Sequence, residues 1–182
     1  MAFGRKYWLA LALCLALHGS GQVRADLVVL HTNDVHCGVE NQLGYAKVAQ
    51  YKKDLMKNPD DTVQLVDAGD AIQGEPLGSL TRGQAIIDIM NVAGYDFAIP
   101  GNHEFDYGMA RFLELALQLN GGYYSCNLID LRTGKPVFPP YKMVTYDGGK
   151  KAPFIGVTTP QTLISSTPRY FQDDKGQFIY GF

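Results

Sequence analysis

The sequence predicts an α/β fold built on a parallel sheet, and two observations carry that prediction. From Asp26 onward, short apolar runs that read as buried strands alternate with segments of helical periodicity, the pattern of βαβ units. Three successive strands also end in loops carrying Asp, His and Asn, and the carboxyl edge of such a sheet is where open α/β folds place their ligands. With 182 residues, 46% of them hydrophobic and 19% charged, the chain is long enough to enclose one core.

The segment before Asp26 is set apart from the fold. Arg5 and Lys6 precede an apolar run from Trp8 to Leu17, a polar stretch follows, and Val23-Arg24-Ala25 offers a cleavage site. Residues 1–25 therefore read as a secretory signal peptide, and the remainder is expected to be exported, periplasmic or extracellular. The apolar run is shorter than the ~20 residues a spanning helix needs, so no membrane association is expected after cleavage. Leu13 before Cys14 is too large for a lipoprotein signal. Removing the leader takes away Arg5, Lys6 and Arg24 and no acid, leaving 13 basic against 18 acidic residues, a formal charge of −5. That balance argues against a nucleic-acid polymer or an anionic membrane as partner, and leaves room for a small phosphate ester. Cys37 and Cys126 remain in a compartment that permits disulfides. They read as two inert thiols, since nothing in the sequence supplies the short Cα separation a bridge requires.

In chain order, Leu27 to Leu30 is the first buried strand, followed by the loop His31-Thr32-Asn33-Asp34-Val35-His36. A helix is predicted from about Tyr45 to Met56, with Tyr45, Val48, Ala49, Leu55 and Met56 on one face and Lys47, Lys52, Lys53 and Asp54 outside it. Asn58-Pro59-Asp60-Asp61 stops it. The second strand, Thr62 to Val66, ends in Asp67-Ala68-Gly69-Asp70. Ile86, Ile89, Met90 and Ala93 mark the next helix, with Gly94 as its C-terminal stop. Phe97 to Ile99 is the third strand. After it comes Gly101-Asn102-His103-Glu104-Phe105-Asp106-Tyr107-Gly108, then a helix starting near Glu104 and closed by Gly121-Gly122. Tyr123 to Cys126 reads as a fourth strand. Met143 to Tyr146 and Phe154 to Thr158, around Asp147-Gly148-Gly149-Lys150, read as a hairpin. From Pro160 the tail is polar and shows no closing element.

The chemistry concentrates in the three loops. Asp34, His36, Asp70 and Asn102 form an oxygen-and-imidazole donor set that suits a first-row divalent metal. Asp34 and His36, two apart on an extended segment, point the same way, and the two oxygens of Asp70 allow it to bridge two ions. Singly, each has a plainer reading: Asp34 as a helix cap or Asx turn, Asp70 as a turn residue, Asn102 as a left-handed loop residue. Their recurrence at three successive strand ends favours a shared site. His103 and Asp106 form a second unit. Three residues apart at a helix start, they suit an imidazole held by a carboxylate and able to protonate a leaving alkoxide. The plainer reading of Asp106 is a charge favoured at a helix N-terminus. Glu104 reads as a supporting residue and Phe105 as packing.

At Leu30-His31-Thr32-Asn33-Asp34-Val35-His36, Asp67-Ala68-Gly69-Asp70 and Gly101-Asn102-His103-Glu104-Phe105-Asp106 the chain resembles the calcineurin-like metallophosphoesterases. Within them it is similar to the secreted bacterial 5′-nucleotidase and 2′,3′-cyclic-nucleotide phosphodiesterase family. The resemblance implies a two-sheet sandwich flanked by helices (αββα). It implies two divalent ions, zinc, manganese or similar, held by Asp34, His36, Asp70 and Asn102, with His103 and Asp106 as catalytic dyad. The substrate would be a nucleotide or other small phosphate ester. Family members complete the metal sites with later histidines, whereas this sequence has none after His103. Residues 26–182 are therefore expected to be the N-terminal part of a metallophosphoesterase domain, with a C-terminal substrate-binding domain in the parent chain. A non-catalytic fragment of such an enzyme is the alternative.

Overall fold

The computed structural model describes residues 26–41 and 43–182; the leader read at 1–25 lies outside the described residues. Three parallel strands form the main sheet: β1 (Leu27–Thr32), β2 (Thr62–Asp67) and β3 (Phe97–Ala98), in the order β1-β2-β3. β1 and β2 pair from Leu27 opposite Thr62 to Thr32 opposite Asp67, and β3 joins with Asp67 opposite Ala98. The strands thus stop level with one another, which brings the loops after them together. The α/β class read from the sequence is the class of the structure.

Helix α1 (Gly44–Leu55) connects β1 to β2, and α2 (Pro76–Thr81) and α3 (Gln84–Ala93) connect β2 to β3. Gly94 ends α3 at a φ of 79°, the left-handed geometry expected of a glycine stop. Lys52, expected on the outer face of α1, is instead buried. Its ammonium reaches the Asp96 carboxylate at 2.6 Å and the Gly94 carbonyl at 2.5 Å, so the charge enters the interior already paired. The helix expected near Glu104 begins later. His103–Phe105 is one turn of 3-10 helix, Gly108 breaks the chain at a φ of 90°, and α4 runs only over Met109–Ala116.

Tyr123 pairs with Ala98 as a single parallel bridge in place of a full fourth strand. β4 (Ile129–Asp130) and β5 (Lys135–Pro136) follow. The hairpin is β6 (Tyr141–Tyr146) with β7 (Lys150–Ile155), tighter than expected because Tyr146 pairs directly with Lys150 across the glycine turn. The tail is more ordered than its polarity suggests. It contains α5 (Thr162–Ser165) and a 3-10 turn over Pro168–Phe171, and β8 (Tyr180–Gly181) pairs antiparallel with β4.

The core lies between the sheet and its helices. Leu65, Ile72, Ile86, Ile87, Met90, Phe112 and Leu115 have no exposed surface. Phe105 is its hub, its ring 5.1 Å from that of Phe112, 5.0 Å from that of Phe171 and 6.2 Å from that of Phe182. Burying each such side chain contributes about 1.5–3 kcal/mol. Phe105 also sits inside the turn that carries His103 and Asp106, so the packing that stabilises the fold places that turn. Cys37 and Cys126 are free thiols.

Candidate active site

Main-chain hydrogen bonds stitch the loops after the strands together. Ala68 N–H donates to Thr32 O (2.8 Å), Asp34 N–H to Gly69 O (3.1 Å), His36 N–H to Asp70 O (2.9 Å) and Cys37 N–H to Ala71 O (3.0 Å). Following this path forces non-glycine residues into left-handed backbone: Asp34 at φ 52°, His36 at 46°, Cys37 at 62° and Asp70 at 60°. Each costs on the order of 1–3 kcal/mol, a strain typical of functional loops. Glycines let the loops touch. A Cβ on Gly74 would stand 2.2 Å from the His36 carbonyl, and one on Gly101 2.3 Å from Oδ1 of Asp70.

Glu104 secures the arrangement from below. Its carboxylate is fully buried and accepts the backbone N–H groups of Asp70 (2.8 Å), Ala71 (2.8 Å) and Gly101 (2.7 Å). Burial raises its pKa, with Asp70 adding, although the three N–H groups oppose the shift. Asp67 lies in the same interior and is raised well above the usual carboxylate range, first by burial and then by Glu104. It accepts Thr32 Oγ1–H at 2.8 Å and Gly69 N–H at 3.0 Å. Burial pushes the neighbouring Cys37 thiol up to about 11, with Glu104 and Glu75 adding, so it is a packed, inert sulfur.

On this base His36, Asp70 and His103 converge, with one donor atom from each within 4.8 Å of the others. The rings of His36 and His103 meet edge to face, centroids 5.0 Å apart. His36 Nδ1 lies 3.1 Å from the carbonyl of Gln73. A carbonyl only accepts, so Nδ1 carries a proton, and in the neutral ring Nε2 is the nitrogen with the lone pair. That free nitrogen is 3.8 Å from Oδ1 of Asp34, whose carboxylate also accepts the Asn33 amide. Asp70 accepts His103 N–H at 2.8 Å. Burial raises its pKa, the His103 N–H and charge oppose this, and Asp34 adds to it.

His103 Nδ1 meets Oδ2 of Asp106 at 2.7 Å, which leaves Nε2 outside that contact. Burial alone would lower its pKa. The Asp106 hydrogen bond and charge, with Asp70 and Glu104 behind them, outweigh burial, and the imidazole is raised above its usual 6.5. The i, i+3 spacing read from the sequence therefore produces the pair, on a 3-10 turn instead of an α-helix.

The structure thus brings Asp34, His36, Asp70, His103 and Asp106 to one sheet edge. Asn102 opens the same turn beside His103, with no side-chain hydrogen bond among the described residues. His103, read as catalytic, also stands among the potential metal donors. Two imidazoles and a carboxylate, one imidazole with its tautomer fixed by a carbonyl, fit a divalent first-row ion. The reading of the sequence understated Glu104: its chemical type was visible, its backbone partners were not.

Comparison with known proteins gives matching results. The model of the family described as calcineurin-like phosphoesterase matches residues 27–176. A snake venom 5′-nucleotidase from Gloydius brevicauda is 34% identical, over 88% of this chain and 29% of its own length. The 2′,3′-cyclic-nucleotide 2′-phosphodiesterase/3′-nucleotidase of Yersinia enterocolitica is 30% identical, over 86% of this chain and 28% of its own. Among solved structures, the NAD nucleotidase of Haemophilus influenzae superposes with a TM-score of 0.67 at 30% identity, covering 77% of this chain and 28% of that one. The chain spans less than a third of the length of these relatives.

Proposed function

Because the chain belongs to the calcineurin-like phosphoesterase family, we propose that it carries the metal-binding, catalytic edge of a hydrolase of small phosphate esters, with nucleotides as the substrate class. The observation that carries this reading is the convergence of His36, Asp70 and His103 within 4.8 Å at the carboxyl ends of three adjacent strands. Asp34, His36, Asp70 and Asn102 would hold two divalent ions. When bound, such ions supply Lewis acidity toward phosphate oxygens and toward water.

The protein's own part follows from its geometry. His103, its ring held through Nδ1 and its pKa raised, presents a protonated Nε2 to the departing oxygen of the ester and neutralises the charge that develops there. Asp106 fixes the ring and stabilises its positive charge. Glu104 holds the backbone of residues 70, 71 and 101, so the donors keep their places. The nucleoside part of a substrate would be gripped by a further domain of a longer chain, and export through the leader at 1–25 belongs to the same proposal.

The test is calorimetric titration of chelator-stripped protein with Mn²⁺ and Zn²⁺, followed by hydrolysis of AMP and bis-p-nitrophenyl phosphate. Support is binding that His36→Ala weakens at least tenfold, with metal-dependent turnover that His103→Ala removes. Turnover that persists without metal, or in His103→Ala, overturns it. Metal binding without turnover favours the second reading, a chain that holds metal without catalysing the reaction.

A further inference from the structure

We propose that Ser166 is a positioning residue for the His103–Asp106 pair, its hydroxyl holding the carboxylate that holds the imidazole. The inference rests on the dyad reading above and assigns a role to the tail, whose sequence suggested none.

The two oxygens of Asp106 are used separately. Oδ2 meets His103 Nδ1 at 2.7 Å, and Oδ1 accepts Ser166 Oγ–H at 3.1 Å from a residue 60 positions away. The terminal torsion of an aspartate is broad and two-fold. A carboxylate held at one oxygen therefore swings, and the ring bonded to it swings with it. A donor on the second oxygen fixes the plane. Ser166 only donates here, because an ionised carboxylate only accepts, so the contact moves no proton.

The segment carrying Ser166 is anchored independently of that bond. Ser166 N–H donates to Thr162 O at 3.0 Å, and Thr162 is fully buried. Five residues beyond Ser166, Phe171 is also fully buried and packs on Phe105, which lies between His103 and Asp106 in the chain. Apolar contacts and one polar contact thus join the tail to the same short turn. Ser166 and Asp106 are both half-buried, so the bond lies partly out of water. The arrangement has the form of a supporting contact that keeps a working side chain in register.

The test uses the full 182-residue chain, free of metal, at one fixed neutral pH. Histidine is labelled with ¹⁵N, and the His103 Nδ1–H resonance is identified by its disappearance in His103→Gln. Its exchange with water is then measured in Ser166→Thr and Ser166→Val, which have equal bulk and differ in the hydroxyl, with Ser166→Ala alongside as a variant that adds no bulk. The threonine variant is expected to retain the wild-type rate. The valine and alanine variants are expected to exchange about fivefold faster or more, with backbone amide signals elsewhere unchanged. Equal rates in threonine and valine variants overturn the role of Ser166 while leaving the dyad intact. Absence of a protected His103 resonance in the wild type overturns the dyad itself.

Discussion

Glu104 and Asp70 are bound in sequence: the wholly buried carboxylate of Glu104 accepts the backbone N–H of Asp70 at 2.8 Å, and the Asp70 carboxylate in turn accepts that of His103 at the same distance. Residue 104 thereby sets the position of residue 70, which sets the backbone of residue 103. Glu104→Gln turns an amide NH₂ toward backbone donors. It is expected to destabilise the chain by about 1–3 kcal/mol in urea unfolding and to lower metal affinity at least tenfold in calorimetry. Unchanged affinity would show that the buried carboxylate does not support the site.

Gly101 separates a packing effect from a backbone effect. Its missing Cβ makes room for the Asp70 carboxylate, so Gly101→Ala is expected to lose about 1–3 kcal/mol and most metal binding together. Gly148 sits in the hairpin turn at φ 68° with open space around it. Gly148→Ala is expected to cost about 1 kcal/mol with metal affinity intact. Thermal melts and metal titrations of both variants distinguish the two behaviours.

Stability should also respond to pH in a defined direction. Asp67, Glu104 and His103 all have raised pKa values in the folded chain, so each binds its proton more tightly folded than unfolded. Their contributions are full below the unfolded values, 3.8, 4.5 and 6.5, and are lost as pH rises through the folded ones. Asp54 and Asp130, with lowered values, act oppositely only in stronger acid. The metal-free chain is therefore expected to melt higher at about pH 6 than at about pH 8, with His103→Gln flattening the slope. Calorimetric scans across that range check it.

Phe105→Ala removes the ring that Phe112, Phe171 and Phe182 surround. A loss of about 3–5 kcal/mol is expected, measured by urea unfolding. Because Phe105 lies in the turn bearing His103 and Asp106, the His103 Nδ1–H signal should weaken in the same variant under conditions where it remains folded.

Much of the architecture was legible because periodicity reports burial. The runs Leu27–Leu30 and Thr62–Val66 lie within β1 and β2, and Ile86, Met90 and Ala93 do face the core. What failed depended on contacts distant in sequence. The octapeptide's helix began late because Gly108 takes a conformation that local pattern does not encode, and Lys52 is buried because Asp96, 44 positions away, pairs with it. Of the candidate site, the residue types and their strand-end placement were readable. The left-handed backbone at His36 and Cys37, the amide cradle of Glu104 and the Ser166 contact were not, since each arises only when separate loops meet.

Most of the hydrogen bonds joining the loop after β1 to the loop after β2 run from main chain to main chain, with the His36 ring on the Gln73 carbonyl as an exception. A lattice of amides is indifferent to the identity of the side chains it carries. Substitutions at residue 34 can therefore change the side chain presented at this edge while these main-chain bonds persist, whereas those at 36 or 70 also remove a side-chain hydrogen bond. Such a frame permits the chemistry at this edge to diverge by point replacement, and permits a member that has lost its ions to keep its shape.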